Sequence, residues 1–236
     1  MHRDCILVHG SWHGGWCWDK IKEDLTLFDN VLTPTLPGHN SSRKLSHEEI
    51  ALRDYEKHIE NILESAKHPV VLVGHSLGGM VVTQVASKHY KKVSKIIYIS
   101  GFVPQNNTSA AELISSLKYP LDLSVNSEAC NIPVNYSQFS SSFYNCCTSQ
   151  DIDFALPKLC PQPLKPLQEA ITMSKGFELI PKLYVECLQD HVVHIEDQRM
   201  IQSFFKCAVE SIDSDHFPFF SRKQELIKII HNFSFD

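Results

Sequence analysis

Val70-Val71-Leu72-Val73-Gly74-His75-Ser76-Leu77-Gly78-Gly79-Met80 is the stretch on which the reading of this chain turns. Four apolar residues run into G-x-S-x-G, and a helical pattern over 77–89 follows, with Met80, Val81, Gln84, Val85 and Lys88 around it. Strand, sharp turn and helix in that order are the context a nucleophile elbow requires. So tight a turn leaves no room for side chains at positions 74 and 78. It is expected to hold Ser76 in a strained conformation with its hydroxyl projecting from the sheet end. Gly79 adds a third small residue that lets the helix pack closely. The bland alternative is a Gly-rich helix start with an idle serine.

Outward from this point the chain alternates β-rich and amphipathic runs. Further strands are expected over 5–8, 31–33, 95–99, 182–185 and 208–212. Such runs, apolar on both faces, suit a parallel sheet covered on both sides. Ser46-His47-Glu48-Glu49 has the S-x-x-E form of a capping box and predicts a helix carrying Ile50, Tyr55, Ile59, Ile62 and Leu63. Another helix is expected over 225–231, behind Pro218. The alternation predicts an α/β fold with a mostly parallel central sheet of about six strands and right-handed crossovers. Residues 104–176 break the rhythm, with Ser140-Ser141-Ser142, cysteine-bearing turns and Pro157, Pro161, Pro163 and Pro166. So long a stretch is read as an inserted helical lid, leaving 1–103 and 177–236 as the core.

Composition narrows the class. The 236 residues are 43% hydrophobic and 21% charged, an ordinary globular balance that excludes a disordered chain. The formal net charge is −5 with no basic block, which argues against nucleic acid as a partner. The longest apolar stretch, 70–82, is broken by His75 and Ser76 and is too short to span a bilayer. No secretory signal is read at the N-terminus, so the expected location is cytoplasmic. The N-x-S/T matches at Asn40, Asn106, Asn135 and Asn232 then carry little meaning. None of the eight cysteines forms a C-x-x-C pair, so zinc and thioredoxin-type readings fail on spacing. Most are expected reduced, with a local disulfide left open for the four between 130 and 160.

A serine hydroxyl is a weak nucleophile and needs a base. Thirteen histidines make counting useless, but behind an elbow the partners follow in the order Ser, acid, His. His216 lies four residues past the last expected strand, and Asp190 directly past the strand before it. Asp190 is therefore expected to hold the Nδ1 side of His216 and to stabilise the imidazolium. Asp213 and Asp215 sit too near His216 in sequence to reach that nitrogen easily, and Glu186 and Asp197 are the remaining rivals. The oxyanion hole needs two backbone N–H groups. Leu77, after the nucleophile, supplies one, and Ser11, in the Gly-rich loop His9-Gly10-Ser11-Trp12-His13-Gly14-Gly15-Trp16, supplies the other. Gly10 lets that backbone approach the substrate. Trp12, Trp16 and Trp18 are read first as packing, with Trp12 placed to line the substrate pocket. His75 is read as an elbow filler and His9 as a backbone partner. His191 and His194 lack a third ligand, so no metal and no cofactor is expected.

The run 6–16 and the run Gly74-His75-Ser76-Leu77-Gly78-Gly79-Met80 resemble the plant methylesterase and hydroxynitrile lyase branch of the α/β-hydrolases, to which bacterial arylesterases and carboxylesterases are similar. The order Ser76, Asp190, His216 fits that branch, and 104–176 matches it poorly. The resemblance implies an α/β-hydrolase fold and puts Gly10 and Phe217 at the substrate site. The lyases of the branch carry threonine where this chain has Gly10. They carry lysine, whose charge helps hold a leaving cyanide, where it has Phe217. Both departures favour the esterase side. The expected function is a serine carboxylester hydrolase acting on a small, mostly apolar ester through an acyl-enzyme. The alternatives are a hydroxynitrile lyase, a C–C bond hydrolase, or a ligand-binding receptor with slow turnover. The expected partner is a small-molecule ester, and a homodimer is admissible.

Overall fold

Six strands line up in one sheet: β1 (Asp4–Val8), β2 (Asn30–Leu32), β3 (Val70–His75), β4 (Val93–Ile99), β5 (Lys182–Cys187) and β6 (Ala208–Ile212). The structure is a computed structural model and describes residues 2–39, 46–121 and 123–236. The strands pair in the order β2-β1-β3-β4-β5-β6, and every pairing is parallel. Parallel neighbours need crossovers, and crossovers lay helices over the sheet faces. Accordingly β1, β3 and β5 are buried along their whole length. The expected strands are all present, most lengthened by a residue or two where the ladder continues, while the one expected over 31–33 lies at 30–32.

The order of the strands places the site. From β1 the chain steps outward to β2, then returns to the other side of β1 as β3. Crossovers leave β1 and β3 in opposite directions, so a crevice opens beyond their carboxyl ends, where α/β sheets bind ligands. Val8 pairs with Gly74, which brings the loop at Gly10 and Ser11 beside the turn at Ser76.

Helices α1 (Leu52–Ser65) and α2 (Gly78–Lys88) pack on each other, and α2 lies against β3. The expected start of α1 at Ser46 is corrected. Residues 46–49 form a turn in which the Glu49 N–H donates to the Ser46 carbonyl (3.2 Å). The helix begins at Leu52 because other carboxylates satisfy its first donors. Asp54 accepts from the Ala51 N–H (2.8 Å) and Glu169 from the Leu52 N–H (2.7 Å). The sequon at Asn40 lies outside the described residues.

Between β4 and β5 run short helices, among them α3 (Ala110–Ser116) and α4 (Ser149–Ala155), and an antiparallel ribbon pairing Asn131–Ile132 with Gln162–Pro163. True capping boxes open both helices, Ser109 with Glu112 and Thr148 with Asp151. Helices α5 (Ile195–Gln202) and α6 (Lys223–Phe235) complete the chain. All eight cysteines are free thiols, so no disulfide forms among the four between 130 and 160. No helix among the described residues is long and apolar enough to cross a membrane.

A Cβ on Gly78 would stand 2.4 Å from the Val8 carbonyl oxygen, and one on Gly74 2.7 Å from the Gly78 oxygen. Neither neighbour is a side chain that can swing away. Gly78→Ala is therefore expected to cost about 1–3 kcal/mol, a fall in Tm of roughly 3–10 °C for a chain of this size. A thermal melt indistinguishable from the parent would contradict this account of the turn.

Candidate active site

Strand β3 ends at His75, and the next residue, Ser76, has φ +50°, the left-handed region that β-carbon-bearing residues avoid. Three hydrogen bonds hold it there. The Ser76 N–H donates to the Ile99 carbonyl (3.2 Å), and the Ser76 carbonyl accepts from Gly79 N–H (2.9 Å) and Phe102 N–H (2.8 Å). Strain of this kind persists only where surrounding bonds over-determine the residue. Ser76 is 6% exposed, and its hydroxyl has no hydrogen-bond partner among the described residues.

Asp190 and His216 meet in the interior. The His216 Nδ1–H donates to Asp190 Oδ2 at 2.7 Å, with both side chains buried. Asp190 is held from every side. Its Oδ2 also accepts from the Ser100 hydroxyl (2.5 Å), and its Oδ1 accepts from Val192 N–H (2.7 Å) and Val193 N–H (2.9 Å). The four rivals are occupied elsewhere. Glu186 pairs with Arg199, and Asp197 accepts from Lys118 N–H and Tyr119 N–H. Asp213 accepts from Gln189, and Asp215 from Cys146 N–H and Phe217 N–H. The far nitrogen of His216, Nε2, is buried without a partner, and no hydrogen bond joins it to Ser76.

Ser11 N–H and Leu77 N–H are both free of other hydrogen bonds among the described residues. Gly10 is required by contact, since a Cβ there would lie 2.7 Å from the Cβ of Ser76. Trp12, at φ +62°, donates from Nε1 to the Ile132 carbonyl (3.1 Å) and presents its ring edge-on to Phe139 and Phe143. Ser11, Trp12, Ser76 and Leu77 share a narrow pocket with Phe102, Ile114, Leu121, Leu123, Leu167 and Val192. Among the described residues, no charged side chain lines it. A second narrow pocket shares Trp12, Leu121 and Leu123 and extends to Phe139 and Phe143. Phe217, expected at the substrate, lines neither pocket. Its ring is fully buried against His13, His75 and Tyr144, where an apolar ring packs and a lysine would leave its charge without water.

Several polar residues of the site were not legible beforehand. Ser100, at φ +41°, is the second side-chain donor to Asp190, beside His216, and the only cue is a Ser-Gly pair after a strand. His75 does more than fill the elbow, since its Nε2–H donates to the His216 carbonyl (2.8 Å). His9 donates from Nδ1 to the Gly10 carbonyl (2.8 Å) and accepts from Leu36 N–H (3.0 Å). His13 donates from Nδ1 to the Ser11 carbonyl (2.7 Å) and accepts from the Tyr144 hydroxyl (2.6 Å). The rings of His191 and His194 lie 6.4 Å apart. The only three-residue group of converging metal-ligand side chains among the described residues, His2, Asp29 and His68, is not at the cavity.

Burial keeps these inner histidines neutral. It lowers His13 to about 3 and His39 to about 4, and holds His9 and His75 well below the ordinary value of 6.5. Each therefore takes up a proton only on unfolding, so the stability it confers is complete above pH 6.5 and is lost as pH falls toward the folded value. The slope is about 1.4 kcal/mol per pH unit for each group. Tm is expected to hold from pH 8 to 7 and to drop steeply between pH 6.5 and 4. A melt that stays level down to pH 4.5 would refute the neutral interior.

A model of the Alpha/beta hydrolase family matches residues 5–229. The chain is 30% identical to Methylesterase 9 of Arabidopsis thaliana, over 94% of this chain and 94% of that protein. It is 27% identical to a pyrethroid hydrolase of Sphingobium wenxiniae, over 98% of this chain and 87% of that protein. The crystal structure of a pyrethroid hydrolase from Sphingobium faniae JZ-2 superposes with a TM-score of 0.87 at 23% identity, covering 99% of this chain and 98% of that one, a likeness of fold.

Proposed function

The chain belongs to the alpha/beta hydrolase family, in the branch of plant methylesterases and bacterial esterases, and from that premise we propose that it is a serine carboxylester hydrolase working through Ser76, His216 and Asp190. The observation that carries the proposal is the Asp190–His216 hydrogen bond at 2.7 Å beside the strained elbow serine. Ser76 Oγ attacks the ester carbonyl while His216 Nε2 takes its proton. Asp190 holds the imidazole with Nδ1–H inward and stabilises the imidazolium. The N–H groups of Ser11 and Leu77 receive the oxyanion. His216 then protonates the leaving alcohol, and water repeats the sequence on the acyl-enzyme. Ser76 Oγ and His216 Nε2 have no other partners among the described residues, so closing this last contact breaks no bond described there.

The cavity walls support an uncharged, mostly apolar ester as substrate, because an ionic group there would lose its hydration without gaining a partner. In this reading residues 104–176 are the cap and the two cavities take the two sides of the ester, parted by Trp12. Trp12→Leu should merge them and raise kcat/KM for p-nitrophenyl octanoate relative to acetate by roughly tenfold. An unchanged ratio would remove Trp12 from the partition. A fluorophosphonate probe should label the parent protein at Ser76 and leave Ser76→Ala unlabelled. Folded parent protein that resists the probe would sink the assignment.

A further inference from the structure

We propose that residues 144–147 form a clip that positions three loops of the candidate site at once. The inference rests on the esterase reading for what those loops do, while the contacts stand independently of it. Tyr144 donates its hydroxyl to His13 Nε2 (2.6 Å), and His13 Nδ1–H donates to the Ser11 carbonyl (2.7 Å). Burial keeps His13 neutral, so it can only relay in that direction, accepting from Tyr144 and donating to Ser11. Asn145 donates from Nδ2 to the carbonyl of Gln189, the residue before Asp190 (2.9 Å). Cys146 N–H (2.9 Å) and Cys147 S–H (3.1 Å) both donate to Oδ2 of Asp215, the residue before His216. Asp215 turns its other oxygen to its own loop, accepting from Phe217 N–H (3.1 Å) and Ser221 Oγ (2.8 Å).

Four consecutive residues thus reach the loops after β1, β5 and β6. Apolar packing alone would cover those loops without aiming a donor at each. The clip is also continuous with the cavity wall. Phe139 and Phe143, just before it, stack on each other at 4.2 Å and border Trp12. The same chain segment therefore touches the substrate seat and fixes the groups that act on the substrate. Tyr144, Asn145 and Cys147 are positioning residues, and their effect should fall on kcat and not on KM.

Tyr144→Phe removes one hydroxyl and keeps the ring against Phe217. Cys147→Ala removes the thiol donor, and Cys147→Ser returns a donor of similar reach. Each deletion is expected to lower kcat on p-nitrophenyl acetate roughly three- to tenfold with KM within twofold, and Cys147→Ser should restore the parent rate within twofold. In heteronuclear NMR the Ser11 amide should shift in Tyr144→Phe, and the His216 imidazole in Cys147→Ala. Raised KM at unchanged kcat, or Ser11 and His216 resonances that stay in place, would overturn the proposal. If the parent protein turned over no ester and resisted fluorophosphonate, the esterase reading would fail, and the two NMR shifts would still decide the clip, their presence supporting it and their absence overturning it.

Discussion

Ser76→Ala is expected to lower kcat for p-nitrophenyl acetate by roughly 10⁴- to 10⁶-fold, with Tm within about 2 °C of the parent. The hydroxyl makes no hydrogen bond among the described residues, so its removal leaves the hydrogen bonds of the turn in place. The three bonds that pin this residue at φ +50° come from backbone atoms and survive the substitution. On the proposed reading, what disappears is the oxygen that forms the acyl-enzyme. The oxyanion N–H groups and the cavity remain and give a residual rate above water. Retention of more than about 1% of kcat would place the nucleophile elsewhere.

Asp190→Asn is expected to lower kcat by about 10⁴-fold at nearly parental stability. The carboxylate faces donors on both oxygens: Ser100 and His216 on one, Val192 and Val193 on the other. An amide must turn its NH₂ toward one of these pairs. The backbone N–H groups cannot adapt, whereas a hydroxyl can rotate and an imidazole can change tautomer. The amide nitrogen is therefore expected to face His216, which moves the ring proton to Nε2 and leaves no lone pair for Ser76. Imidazole ¹⁵N shifts should report that tautomer directly. A loss of less than tenfold in kcat, or an unchanged tautomer, would remove Asp190 from its orienting role.

The sheet was legible in the sequence because β strands buried on both faces are mostly apolar, as 70–73, 96–99 and 183–185 are. The order of residues behind the elbow pointed to Asp190 and His216, which the structure brings to 2.7 Å. The helix starts at Leu52 and not at Ser46 because the S-x-x-E pattern is purely local, and the first helical donors are met instead by Asp54 of the helix itself and by the distant Glu169. The same pattern at Ser109 and Glu112 does cap a helix. Between β4 and β5 the helices are short and irregular, so periodicity has little to act on. Ser100, His13 and Tyr144 could not be found beforehand, because each works through a partner 90 to 131 residues away in the chain.

The spacing of the machinery along the chain has a temporal side. The serine turn lies in the first third of the polypeptide, whereas β6, the loop bearing residue 216 and α6 come last. During synthesis the N-terminal strands can assemble while the imidazole is still unmade or inside the ribosomal tunnel. A nascent chain would thus carry its hydroxyl for many seconds without a base to activate it. On the proposed reading, a base would meet that hydroxyl only once β6 and the loop after it had been made.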